Sequence, residues 1–427
     1  MTVSKLADNE AKTVARHVNA ERQWQFLMKL AKFGETPNGG VHRLALSDEE
    51  AGARLFLISK AEELGLSIHT DTISNLFFRL EGKNHEAPPI VTGSHIDTQP
   101  KGGKFDGAYG VVAGFEAIRA IRDAGLTPNR SVEVVAWLNE EGSRFSPGMM
   151  GSEAYTGQRS IEQIMEVKDA DGDTTREALA RIHKLFPDTH RRPMGMPIAA
   201  YIEAHIEQGP ILDENNIPVG IVTGIQGSRR FRITVTGEES HAGTTPRKDR
   251  KDALFAAQDM ISKMRNAFDD SDDLVKFTVG LFNVLPNAPS VVPSEVFFSI
   301  DLRHPDWPTL NKLGEAISEI CEENRGKCAF SVKEVAKSPS LTFPHGMQNQ
   351  LTAIANELDI QNIPILSAAG HDARQLHYFC PAGMIFVPCD KGISHNELEN
   401  CNREDLAEGT RLLAAALVGL SLENLNE

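Results

Sequence analysis

"TGSHIDTQPKGGKFDGAYG" (92–110) places a histidine, two aspartates and five glycines in nineteen residues, directly after the apolar run "APPIV". The helical pattern "GVVAGFEAIRAIRDAG" follows, and the same order recurs where "SVEVVAWLNEEG" precedes "GMMGSEAYTG". Such β-α alternation predicts a buried, largely parallel sheet with its functional loops at the strand C-termini. The loop is a poor phosphate cradle: its glycines miss the G-x-G-x-x-G spacing, no G-K-[ST] is present, and Phe105 and Asp106 sit where close, uncharged backbone is needed. It is better furnished for a metal. His95 supplies an imidazole, Asp106 a carboxylate, and Asp97 an acceptor that would fix the imidazole tautomer. Taken alone, a plain histidine in a strand-end turn is the better fit.

The chain has 427 residues, more than one hydrophobic core usually serves, so at least two domains are expected. With 41% hydrophobic and 24% charged residues it reads as an ordinary globular protein. A formal charge of -15 without any basic cluster argues against nucleic acid as a partner. "MTVSKLADNEAKTVARHVNAERQW" reads as an amphipathic helix and not as a signal peptide, and "LLAAALVGL" is far too short to span a membrane, so a cytoplasmic protein is expected. The five cysteines form no C-x-x-C pair and read as reduced thiols.

From about Gly220 the texture changes to strict alternation. Phe231, Ile233 and Val235 share one face of a strand, opposite Arg232, Thr234 and Thr236. Val296, Phe298, Ile300 and Leu302 likewise oppose Phe297, Ser299, Asp301 and Arg303. Helical stretches at 251–268 and 309–326 would cover the apolar face. The expected architecture is therefore an α/β domain formed by 1–216 and 336–427, with a mixed, largely parallel sheet flanked by helices. An α+β domain with an antiparallel sheet is inserted at 217–335.

"WLNEEGSRF" ends a strand in two adjacent glutamates, Glu140 and Glu141, whose side chains should diverge. An exposed acidic pair at a strand end is ordinary. A parallel sheet, however, would bring it to the edge that carries His95 and Asp106. "YIEAHIEQGP" adds His205 and "DKGISHNELE" adds His395, again in segments that end or follow strands. Oxygen and nitrogen donors without thiolates suit Zn, Mn, Co or Ni.

"GSHIDT…GGKFDGAYG", "NEEGSRF", "EAHIEQGP", "ESHAGTTPRKDR", "DLRH", "AAGHDA" and "GISHNE", in this order, resemble the hydantoinase/carbamoylase branch of the M20 metallopeptidase superfamily. That branch includes N-carbamoyl-L-amino acid hydrolases, allantoate and ureidoglycolate amidohydrolases and β-ureidopropionases. The resemblance implies two divalent metal ions per subunit, bridged by Asp106, with His95 and His205 on one ion and Glu141 and His395 on the other. Glu140 would be the general base. Such a pair of cations polarises a carbonyl and acidifies a shared water to a pKa of about 7. The resemblance further implies that the inserted domain serves as a lid and dimerisation domain. His241 would bind the substrate oxygen, contributed by the partner across a homodimer, with Arg303 as the clamp for a substrate carboxylate. Gln208, Arg229 and Ser290 are further substrate-binding candidates.

This pattern implies hydrolysis of the carbamoyl or ureido C–N bond of a small carboxylate-bearing substrate. Allantoate or ureidoglycolate hydrolysis is the alternative, N-acyl amino acid hydrolysis a weaker one, and a metal-free binding protein the reading outside enzymes. Departures from the family pattern bear on the pocket: Ser290 replaces an asparagine, Ala368 a glycine and Arg247 a methionine, and Arg230 stands where carbamoylases often carry tryptophan and allantoate enzymes arginine, so that Arg229 and Arg230 support the allantoate alternative. "DADGDT" (169–174) imitates a calcium loop but lacks the glycine and glutamate that an EF-hand needs.

Overall fold

The computed structural model describes residues 5–186 and 189–422, and the chain separates into two compact units, one running to Thr223 and from Phe343 onward, the other Gly224–Thr342. The junctions lie several residues beyond 216/217 and 335/336. The strand Val219–Ile225 still pairs with the large sheet, and 335 falls inside the strand Ala329–Ser338 of the inserted unit. Among the described residues no helix is long and apolar enough to cross a membrane. The N-terminal amphipathic pattern forms two helices, Lys5–Ala15 and Ala20–Leu30, while residues 1–4 lie outside the described residues.

The larger unit is organised by β1 (Ile90–His95), α1 (Ala108–Asp123), β2 (Val132–Trp137), β3 (Ala200–Ile206), β4 (Ala382–Val387) and α2 (Arg403–Leu422). The four strands lie side by side in the order β4-β3-β1-β2, all parallel. Every residue in them is buried, which explains their unbroken apolar runs. Antiparallel strands flank this centre: Leu76–Leu80 beside β2 and Val219–Ile225 beside β4. The sheet is therefore mixed, with the expected β-α units at its middle. Ala200, Ile202, Ala204 and Ile206 of β3 and Val132, Val134 and Ala136 of β2 pack into the core shared with α1 and α2. α1 is buried on nearly every face because sheet and helix enclose it.

The inserted unit is an antiparallel sheet built on Gly227–Thr236, Glu295–His304 and Ala329–Ser338. Phe231, Ile233, Val235, Val296, Phe298, Ile300 and Leu302 form one core with the helices Ala253–Ala267 and Trp307–Asn324. Asp252 and Asp306 cap those helices through side-chain acceptors. The alternation read from the sequence matches this burial, except that Ser299 on the other face is also buried.

Candidate metal centre

Strand register brings the distant motifs to one sheet edge. His95 is the last residue of β1 and stands opposite Trp137, the last of β2; Ile206, the last of β3, stands opposite Val387, the last of β4. Because Ala204 and Ile206 point into the helix-covered core, His205 must point to the other face, alongside Tyr201 and Glu203. Asp106 lies in the turn between β1 and α1. Glu140, Glu141 and His395 lie in the loops after β2 and β4.

Asp106 is the centre of the arrangement. Its Oδ1 is 3.2 Å from His205 Nε2 and 3.8 Å from His95 Nε2, and its Oδ2 is 3.2 Å from His395 Nε2. His395 Nε2 also lies 3.4 Å from Glu141, and His95 Nε2 lies 3.5 Å from Glu140. The adjacent glutamates thus diverge, one toward His95 and one toward His395. They do so from a loop beyond the strand, where Asn139 (φ 51°) and Gly142 (φ 66°) turn the chain. His95 Nδ1 faces the carbonyl of Asp97 at 2.9 Å, and His205 Nδ1 that of Ile206 at 2.9 Å. With Nδ1–H donated to a carbonyl, Nε2 is the nitrogen that each ring turns toward Asp106, and at His205 the Gly107 N–H also reaches it at 3.2 Å.

Asp97 stands at His95 as an acceptor, as the sequence led one to expect. Its backbone oxygen, not its carboxylate, holds the His95 tautomer. The carboxylate accepts the N–H of Glu140 (3.1 Å) on one oxygen and of Glu141 (3.2 Å) on the other. Gln208, with φ 57°, donates from Nε2 to Asp106 Oδ2 at 2.9 Å, so in this conformation its amide is engaged with the central carboxylate.

Burial, followed by the negative charges of Asp372 and Glu141, holds the Glu140 carboxyl well above the usual carboxylate range. Burial and Asp106 push Glu141 up to about 8. Burial opposes ionisation of Asp106, yet the hydrogen bonds from His205 and His395 pull it well below its ordinary value. Burial lowers His95 to about 4. Lone pairs facing a carboxylate repel unless a proton or a cation lies between them. The donors form two groups, His95–Asp106–His205 and Asp106–Glu141–His395, each with its ligand atoms within 4.8 Å of one another and both containing Asp106. Glu141 Oε1 is buried without a hydrogen-bond partner. A hard or borderline divalent cation fits this donor set.

A third close group, Glu203, His205 and His371, is a different kind of site. Glu203 already accepts from Ser94 Oγ, Tyr201 Oη and Ala373 N, and His371 Nε2 meets Ser367 Oγ at 2.9 Å. This is a satisfied polar network behind His205. Glu203, His371, Gln99 and Glu399 had no role in the sequence reading. Gln99 donates to Glu141 Oε2 at 2.7 Å and accepts from Ser143. "AAGHDA" and the final glutamate of "SHNELE" were the available signals for His371 and Glu399.

In the inserted unit, His241 is exposed and its Nδ1 accepts the N–H groups of Gly243 (3.0 Å) and Thr244 (3.1 Å), which puts the proton of a neutral ring on Nε2. Ser290 is its neighbour: Ala242 N donates to Ser290 O at 3.0 Å and Val291 pairs with His241. Arg303 donates from Nε and Nη2 to the two oxygens of Asp301, which Arg230 Nε also reaches. Arg229 is turned the other way. It is buried on the helix-covered face, where it grips Glu334 with two nitrogens and Asn311 O with a third. Strand alternation explains the difference: Arg229 lies in phase with Phe231, so the arginine on the open face is Arg230.

Residues 91–418 match the model of Peptidase family M20/M25/M40. The chain is 35% identical over 407 residues to an N-carbamoyl-L-amino-acid amidohydrolase of Rhizobium meliloti, covering 94% of this chain and 97% of that one. It is 35% identical over 403 residues to the allantoate amidohydrolase of Bacillus subtilis (strain 168), covering 92% and 95%. A crystal structure of an amidase of the hydantoinase/carbamoylase family from Burkholderia multivorans superimposes with a TM-score of 0.88 at 38% identity, covering 95% of this chain and 99% of that one. Sheet order, the clustered donors and these likenesses agree: the chain belongs to peptidase family M20/M25/M40.

Proposed function

We propose that this chain is a two-cation amidohydrolase that cleaves the carbamoyl or ureido C–N bond of an N-carbamoyl-L-amino acid or a similar carboxylate-bearing ureido compound. The observation that carries the reading is the placement of Asp106, with one oxygen toward His205 and His95 and the other toward His395. In this reading His95, Asp106 and His205 hold one ion, and Asp106, Glu141 and His395 hold the other. Zn, Mn, Co or Ni would suit them. Bound cations would supply Lewis-acid polarisation of a carbonyl and of a water.

The protein groups do the rest. Glu140, a buried carboxylate beside His95, takes the proton of the attacking water and returns it to the leaving nitrogen. The C–N bond breaks as the water oxygen bonds to the carbamoyl carbon, and the carbamate released decomposes to CO2 and ammonia. His241, with its proton on Nε2, donates to the substrate oxygen as charge develops there, and comes from the second subunit of a homodimer. Arg303 binds the substrate carboxylate after releasing part of its grip on Asp301. Ser290, beside His241, shapes the pocket.

Hydrolysis of allantoate or ureidoglycolate is the second reading, favoured by Arg230, half-exposed beside Asp301 and Arg303. A panel of N-carbamoyl amino acids, allantoate, ureidoglycolate and N-acyl amino acids, assayed after loading with Mn or Zn, tests both. Turnover of N-carbamoyl substrates at least tenfold above the rest supports the first reading. Preference for allantoate or ureidoglycolate supports the second. A chain that takes up no metal and hydrolyses nothing is a binding protein on this fold.

A further inference from the structure

We propose that Glu399 is a positioning residue that latches the Asp106 turn to the loop carrying His395, and that the Asp106–Glu141–His395 position depends on this latch. The inference rests on the two-cation reading. Glu399 is 3% exposed. Its Oε1 accepts the backbone N–H of Phe105 at 2.9 Å and of Asp106 at 3.1 Å; its Oε2 accepts the hydroxyl of Ser394, the neighbour of His395, at 3.0 Å. A side chain at Gly103 would overlap the Glu399 carboxyl group, so the turn is wrapped directly on it.

The Ser394 hydroxyl has one proton and two carboxylates within reach, Glu399 and Asp106 Oδ2 at 3.2 Å. Gln208 Nε2 donates to Ser394 Oγ at 3.1 Å as well as to Asp106. If the serine proton goes to Glu399, Asp106 Oδ2 keeps a lone pair toward His395, as ligation requires. If Glu399 cannot accept it, the proton falls to Asp106 and competes with a cation. The two positions differ in their exposure to this loss. His95 and His205 are set in strands of the central sheet, whereas His395 sits on a loop with φ 54° and is half-exposed.

The test is calorimetric titration of the metal-stripped, full-length protein with Mn2+, for wild type, Glu399→Gln and Ser394→Ala, with circular dichroism as a check on folding. Glutamine keeps the volume and one acceptor oxygen but cannot serve the amides and the serine together; Ser394→Ala removes only the hydroxyl. Expected are two ions in wild type and, in each variant, a weaker site reduced by about tenfold to a hundredfold with the tighter site unchanged. The double variant Glu399→Gln/Ser394→Ala should lose less than the sum of the two, because both act on one link. Unchanged affinities in both single variants, or equal loss at both sites, overturn the latch and leave the two-cation reading standing. A folded wild type that takes up fewer than two ions overturns that reading, and the latch with it.

Discussion

Gly107 and His95 are packed so closely that a methyl group on the glycine would overlap the imidazole ring. Gly107 also adopts φ 63° with ψ -48° as the residue that opens α1, a turn conformation outside the left-handed helical well that L-residues rarely adopt. The turn presenting Asp106 and the ring of His95 therefore fit together only without a side chain between them. Gly107→Ala should fold but displace the imidazole, and a displacement of about 1 Å is enough to cost about a hundredfold in rate. Metal content and kcat measured together check this: retention of both would show that the contact has slack.

Glu140 and Glu141 are neighbours in sequence with separate roles in the proposed chemistry, and substitution should separate them. Glu140→Gln keeps the volume and the donated backbone N–H but removes the proton acceptor. It should bind metal as wild type does and lose about 10²- to 10⁴-fold in kcat with little change in KM. Glu141→Gln should instead lose metal, since the buried, unpartnered oxygen of Glu141 is an expected ligand. Equal metal loss in both variants would refute the division of labour.

The sheet, the inserted unit and the convergence of five distant side chains were legible because each rests on a local pattern: an apolar run that stops in glycines, strict alternation, or a motif at a strand end. Orientation was less legible. Asp97 was expected as an acceptor that fixes the His95 tautomer, but the sequence does not tell that its carbonyl meets the imidazole while its carboxylate takes the N–H groups of Glu140 and Glu141. Arg229 and Arg230 are indistinguishable by composition, and only the phase of the strand, read through Phe231, separates the buried one from the exposed one. Glu399 escaped because its partners are backbone N–H groups nearly three hundred positions earlier, which no side-chain pattern encodes.

Arg229 and Arg303 should accordingly respond differently to truncation. Arg229→Ala removes a buried guanidinium from the solvent-exposed Glu334 and from the Asn311 carbonyl and should cost about 1–2 kcal/mol of stability, with KM nearly unchanged. Arg303→Ala should leave the melting temperature close to wild type while raising KM about tenfold or more for carboxylate substrates. Thermal unfolding and steady-state kinetics on the same preparations distinguish the two. A KM effect confined to Arg229 would return that residue to the substrate pocket.

Asp71 supports the loop of Glu140 from behind. Its Oδ1 accepts the N–H of Ile73 and Asn75 and its Oδ2 accepts Asn75 Nδ2, while Asn75 Oδ1 receives the N–H of Leu138, just upstream of the glutamates. Burial outweighs these hydrogen bonds and pushes the Asp71 carboxyl up to about 6. A carboxyl whose folded value is raised favours the folded state most below its unfolded value, near 3.8, and that contribution is lost as pH rises through about 6. The loss amounts to roughly 3 kcal/mol, from 1.36 kcal/mol per unit. Asp71→Asn cannot ionise, so its stability relative to wild type should improve by that order between pH 4 and pH 7, whatever the substitution costs at acid pH. Urea unfolding of both proteins at the two pH values checks this. A stability difference that stays constant across the window would mean that the hydrogen bonds offset burial and Asp71 keeps its unfolded value.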